Sequence, residues 1–258
     1  MIKVYDRTMR GSHQRRYYGE SGYYNFGYWA KGARTQGEAC EALVDELSAG
    51  LPDKGRILDV ACGLGASTRR LGEKHGPANI TGINISAKQI ADARQRAPSS
   101  EFAVMDATRL DFPDNHFDAV VCVEAAFHFD TRAAFLAEAL RVLKPGGVLV
   151  LSDILLRAVP DWFAAAGQVP PANLVASVEE YRAGLEGAGF TDVEIRDETD
   201  ACLNSFRRSL VAWPGAEYRA GRSKLDRRIA TELVCRLVSG YFGLVCRTYL
   251  LVSAKKPA

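Results

Sequence analysis

At 258 residues the chain is long enough for one large α/β domain or a smaller core carrying a cap. Its 47% hydrophobic and 25% charged composition is that of a globular protein, and a net charge of +2 lacks the strong basic field of a nucleic-acid or membrane-surface protein. No window approaches the roughly 18 consecutive apolar residues of a membrane span, and the basic N-terminus has no apolar signal core, so a cytoplasmic location is expected.

Residues 17–29 (YYGESGYYNFGYW) crowd aromatics and glycines together without helical or strand periodicity. A helix is predicted from about Thr35 to Ser48, with Ala39, Leu43, Val44 and Leu47 on one face and Pro52 and Gly55 closing it. From Arg56 the strand-like runs RILDVA, NITGINI, EFAVMDA, FDAVVCVEA and GGVLVLSDI alternate with helix-like segments near 66–75, 86–96 and 131–143. That alternation predicts a parallel sheet covered by helices, its strands apolar on both faces.

After Ile154 the alternation breaks. Residues 155–175, with Pro160, Trp162, Phe163, Pro170 and Pro171, read as an irregular or short-helical insertion. A helix over 177–190 and the strand TDVEIRDE follow, then a basic, mostly helical excursion over 201–240 around Trp213–Pro214, and a closing strand-like run over 244–254. The expected organisation is a single domain, 1–258. It comprises an arm (1–50), a ligand-binding core (51–154), cap insertions (155–245, holding a strand at 191–199) and a last strand with tail (246–258). Cys40, Cys62, Cys122, Cys202, Cys235 and Cys246 form no CxxC pair and have no histidine at metal-ligand spacing. Reduced structural thiols and no metal site are therefore expected.

The chemistry starts at Ile57–Ser67 (ILDVACGLGAS), read as a strand, a glycine turn and a helix start. Gly63 and Gly65 permit a tight turn and close backbone approach to a ligand, and the helix N-terminus adds amide donors. Thr68 stands where a dinucleotide fingerprint has its third glycine, and no phosphate-cradling GxxxxGK[ST] is present. Alone, the turn indicates only a nucleotide-like ligand at a helix start. Three ordered pieces follow it. The second strand ends in TGINIS (81–86), the third in VMDA (104–107) before FPDNHFD (112–118), and the fourth in VCVEAAFHF (121–129). LRVLKPGGVLVLSDI (140–154) completes the series, with Lys144–Gly147 read as a turn of no catalytic role.

In order and spacing these pieces resemble the class I S-adenosylmethionine-dependent methyltransferases of small-molecule, bacterial natural-product type. The likeness is close over residues 55–155 and looser at 191–199 and 244–254. It implies an α/β fold: a Rossmann-like, doubly wound, mostly parallel seven-stranded sheet with an N-terminal helical and aromatic arm and helical cap insertions. The implied cofactor is S-adenosylmethionine, with S-adenosylhomocysteine as product. Its implied binding residues are Asp59, Ala61, Gly63 and Gly65 at the turn, Asn84, Ile85 and Gln89 around the ribose, Asp106 and Ala107 at the adenine, and Glu124 after the fourth strand. Asn84 departs from the acidic residue usual there; an amide accepts from one ribose hydroxyl and donates to the other without the charge-assisted part. Gln89 reads either as a ribose contact or as a solvated helix residue, and Ser86 as the cap of its helix. By the same resemblance Tyr18 and Tyr24 touch the methionine end, where aromatic faces attract a sulfonium by about 0.5–2 kcal/mol. The alternative is that the aromatics simply pack the arm on the core.

His128, just after the fourth strand, is the candidate general base; a positioning or structural role stays open. His13 and His75 lie away from strand ends, and His116 sits in the FPDNHFD loop. The expected activity (EC 2.1.1.-) is methyl transfer to a small molecule, at a hydroxyl first, with N- or C-methylation close behind. Trp162, Phe163, Phe206 and Trp213 would roof the acceptor pocket. A non-methylating activity on the same scaffold, such as cyclisation, is the second reading. Near-neutral charge and no Asn-Pro-Pro-Tyr-type motif after strand four argue against a nucleic-acid substrate. Arg207, Arg208, Arg219, Arg222, Lys224, Arg227, Arg228 and Arg236 read either as an anion site or as a solvated helical face with pairs such as Arg228–Glu232. A small-molecule substrate is the expected partner, with no nucleic acid, no membrane and a homodimer left open.

Overall fold

The structure, a computed structural model, describes residues 11–158 and 169–258. Among the described residues seven strands form one sheet: β1 (Ile57–Val60), β2 (Ile80–Asn84), β3 (Glu101–Val104), β4 (Phe117–Val123), β5 (Leu143–Leu156), β6 (Thr191–Asp197) and β7 (Cys246–Lys255). Their order is β3-β2-β1-β4-β5-β7-β6. Strands β1 to β5 pair in parallel, and β7 runs antiparallel between β5 and β6. Strand order reverses between β1 and β4, and the carboxyl ends flanking such a switch point are where open α/β sheets bind ligands.

The helices are α1 (Ser12–Tyr17), α2 (Gln36–Ser48), α3 (Ala66–His75), α4 (Ala87–Arg96), α5 (Arg132–Val142), α6 (Val178–Gly187), α7 (Ser205–Arg219) and α8 (Leu225–Val245). Thr35, Ser86, Thr131 and Ser177 each accept a backbone amide at the start of α2, α4, α5 and α6. Such caps are worth about 1 kcal/mol apiece. Strand side chains alternate between two cores. Ile57, Ala119, Val121 and Val150 meet Leu43 and Val44 of α2, Leu71 of α3 and the arm. Leu58, Val120, Cys122 and Leu149 meet Phe135 and Leu136 of α5 and Tyr181 and Leu185 of α6.

Several expectations need correction. The apolar pattern on both faces holds for β1, β4 and β5. It fails at β3 and β6, which are exposed or half-buried because each edge strand has a neighbour on one side only. Lys144–Gly147, expected as a turn, is the bulged first part of β5. The Gly146 amide donates to the Lys256 carbonyl, and the Lys256 amide to that of Gly147. Leu244 and Val245, expected in the last strand, close α8 instead. Pro214 lies inside α7. All six cysteines are free and buried. Among the described residues no helix is long and apolar enough to cross a membrane. Pro160, Trp162 and Phe163 lie outside the described residues.

Candidate active site

At the end of β1 the Asp59 carboxylate is buried. Its Oδ2 accepts from Ser67 Oγ at 2.7 Å and Thr68 Oγ1 at 2.6 Å, while Oδ1 is buried without a hydrogen-bond partner. Burial pushes this carboxyl up to about 6, and the two hydroxyls restrain the rise. Thr68, read from the sequence only as a missing glycine, thus fixes the orientation of Asp59.

Beyond Asp59 the backbone turns through left-handed conformations at Ala61 (φ 58°), Gly63 (φ 56°) and Gly65 (φ 81°). The two glycines do different work. A side chain added at Gly65 would strike Cα and Cβ of Ala93 at 2.8 Å, so this glycine lets α3 pack closely on α4. A side chain added at Gly63 would meet nothing within 4 Å, so the turn faces open space.

At the end of β2, Asn84 is buried, its Oδ1 accepting from the Ser86 amide at 2.9 Å and its Nδ2 donating to Gln89 Oε1 at 3.1 Å. One Oδ1 lone pair and one Nδ2 hydrogen remain beyond these bonds. Gln89 is buried, which removes the solvated reading. Ile85 beside it is 51% exposed, an apolar ledge at the strand end. After β3, Asp106 is exposed and its Oδ1 accepts from the amide and hydroxyl of Thr108, each at 2.8 Å. Ala107 next to it is buried.

The arm crosses these strand ends. Arg96 of α4 donates from Nε to the Leu64 carbonyl at 3.1 Å and from Nη1 to the Ser21 carbonyl at 3.0 Å, tying the glycine turn to the arm. Glu124, just after β4, accepts at Oε2 from the Phe26 amide (2.8 Å) and the Tyr249 hydroxyl (2.7 Å). Glu124 has a φ of 53°, and burial pushes its carboxyl up to about 8 against the pull of those donors. Tyr18 is buried with its ring 5.0 Å from that of Tyr24. Phe26 stacks on Phe206 of α7 at 4.4 Å, with Phe242 at 5.1 Å and Tyr249 at 6.0 Å. Trp213 packs edge-on to Tyr17 at 5.4 Å. Phe206 and Trp213 therefore clamp the arm.

His128 ends a short 3-10 turn, Ala126–His128, that follows β4. Burial pushes its imidazole down to about 4, so the ring is neutral at physiological pH. Its turn is held from outside. Asn173 Nδ2 donates to the carbonyls of Phe127 (3.1 Å) and Phe129 (2.7 Å), on either side of His128. Arg132 holds Asn173 through its backbone amide and Nη1, and pairs with buried Asp153 at 2.7 Å. Tyr181 donates to the same Asp153 oxygen at 2.8 Å. Asn173, Arg132 and Asp153 carry no sequence signal of this role, because Asn173 is 46 residues from Phe127 and belongs to no local motif.

Four of the eight basic residues of the excursion are ion-paired: Arg208 with Asp200, Arg222 with Glu217, and Arg228 and Arg236 with Glu232. That is the arrangement of an exposed helical face.

The donor set suits an elongated ligand. A partnerless buried carboxylate oxygen suits a cationic group, the Asn84–Gln89 pair suits neighbouring hydroxyls, and Ile85 suits a flat ring. Gly63 leaves its backbone open beside them.

Residues 58–151 match the family described as a methyltransferase domain. The chain is 34% identical to the erythromycin 3''-O-methyltransferase of Saccharopolyspora erythraea, over 92% of this chain and 85% of that protein. It is 47% identical to the 2-methyl-6-phytyl-1,4-hydroquinone methyltransferase of Synechocystis, over 81% and 71% respectively. Among solved structures, the 4+2 cyclase SpnF superposes with a TM-score of 0.73 over 100% of this chain and 95% of its own, at 24% identity, a likeness of fold alone.

Proposed function

The chain belongs to the S-adenosylmethionine-dependent methyltransferases, and from that membership we propose that it methylates a hydroxyl group of a small molecule of natural-product type. The observation that carries the hydroxyl reading is the half-buried His128, set on a clamped turn at the end of β4. An amine acceptor attacks through its own lone pair, whereas a hydroxyl must lose a proton, which an imidazole ring nitrogen can take. The erythromycin 3''-O-methyltransferase, alike over 92% of this chain, supports the same reading.

S-adenosylmethionine, when bound, supplies a methyl group on a sulfonium, open to in-line displacement. Asp59 Oδ1 and the backbone of Ala61, Gly63 and Gly65 would hold its methionine end, with Tyr18 and Tyr24 over it. Asn84 and Gln89 would take the ribose hydroxyls, Ile85 would line the ring, and Asp106 with the Ala107 amide would read the adenine edge. Glu124 fastens Phe26, and with it the arm, across the site, which excludes water from the reacting groups. His128 would accept the hydroxyl proton at a ring nitrogen and release it to solvent after transfer.

Incubation with methyl-labelled S-adenosylmethionine and a panel of hydroxyl, amine and carbon acceptors tests this. Label on oxygen, lost to about 1% in His128→Ala, is the expected result. Label confined to nitrogen or carbon overturns the hydroxyl reading.

A further inference from the structure

The last helix, α8, is buried on one side only. Cys235 and Ser239 are enclosed, and Arg207 of α7 donates from Nε to the Ser239 carbonyl at 2.8 Å. The opposite side is aliphatic. Leu225, Ile229, Leu233, Val234, Leu237 and Leu244 are each between 52% and 67% exposed. At about 100° and 1.5 Å per residue, the stretch from Ile229 to Leu244 is a stripe about 140° wide and about 22 Å long. Gly240 and Ala230 fall within it. A soluble surface helix has polar residues at these positions, and a patch of this size seldom stands uncovered.

We propose that this stripe is the interface of a homodimer, in which two copies pack α8 against α8 antiparallel about a two-fold axis level with Val234. Area is the first reason. Six half-exposed aliphatic side chains and their neighbours offer on the order of 700 Å² per copy, close to the roughly 800 Å² per partner of a standard interface. Charge is the second. The margin carries both signs, Glu232 and Arg236, bonded to each other at 2.7 Å within the helix. Antiparallel pairing about Val234 sets Glu232 level with the partner's Arg236 and Arg236 level with the partner's Glu232, so the face is complementary to itself. Gly240 and Ala230 let the two helices approach closely.

Light scattering and sedimentation equilibrium on the full chain test the proposal, which is independent of the methyltransferase chemistry. The wild type should have twice the chain mass of 28.2 kDa. Leu233→Glu with Leu237→Glu should give the single-chain mass, with unchanged circular dichroism and S-adenosylhomocysteine affinity. Glu232→Arg should weaken association at least about tenfold, and adding Arg236→Glu should restore it. Leu233→Cys should form a disulfide between copies under mild oxidation, whereas Leu225→Cys, far from the axis, should not. A wild-type monomer at high micromolar concentration overturns the proposal. So does a dimer indifferent to the double glutamate variant, or a monomer that sediments with phosphatidylglycerol vesicles through this stripe.

Discussion

The glycine turn and the aromatic arm meet over the same strand ends, yet they are shaped by different means. At the turn the main chain does it: three alternate left-handed positions within five residues, a glycine facing open space, and one carboxylate aimed by two hydroxyls. In the arm and cap, side chains do it. Phe26 stacks on Phe206, Glu124 bonds Phe26 and Tyr249, and Tyr17 reaches Gln36 and Ser209. The first kind of site depends on local spacing and tolerates little change in it. The second depends on apolar volume collected from far along the chain.

The largest effect should come from the cap. Phe206→Ala removes the ring under Phe26 and should cost about 3–5 kcal/mol in urea unfolding. Turnover should fall with the loosened arm, while S-adenosylhomocysteine affinity changes far less. Loss of cofactor affinity in a variant that is still folded would break the division between the two regions. Next, His128→Ala should lower kcat by about 10²-fold. A change confined to KM would move His128 to the acceptor-binding wall.

The smallest effect concerns pH. Glu124 keeps its proton up to about 8 in the native state against an ordinary value of 4.5. Its favourable contribution is therefore complete below about 4.5 and is lost as pH rises toward 8. Glu124→Gln keeps an acceptor for Phe26 and Tyr249, so it should stabilise by about 1–2 kcal/mol at pH 8–9 and by little at pH 5. His128 acts in the opposite sense. Its native value near 4 lies below the ordinary 6.5, so its contribution is complete above 6.5 and lost as pH falls toward 4. Thermal melts of wild type, Glu124→Gln and His128→Ala across pH 4–9 separate the two.

This division also explains what could be read from the sequence. The strands and helices from Arg56 to Ile154 were legible, since each is local: alternation, a capping serine and a glycine turn sit within a dozen residues. Asp59, Gly63 and Asn84 were legible as site candidates for the same reason. Thr68 was legible only as the absent third glycine, because its bond to Asp59 is a side-chain contact outside the turn pattern. The Glu124–Tyr249 bond spans 125 residues and the Asn173 clamp 46, so neither leaves a pattern along the chain. Lys144–Gly147 joined β5 because Lys256, at the far end of the chain, supplies the hydrogen bonds. The pairs of Arg228 and Arg236 with Glu232 in α8 were legible as i,i+4 neighbours.

The most direct test of the cofactor site is a calorimetric titration of S-adenosylhomocysteine into wild type, Gly63→Val and Asp106→Ala. A side chain at Gly63 enters the open space above the turn, and alanine at position 106 removes the carboxylate proposed for the adenine edge. Each variant should bind at least about 10²-fold more weakly than wild type while melting within a few degrees of it. Affinity within a few-fold of wild type in both variants would contradict the assignment of these strand ends to S-adenosylmethionine.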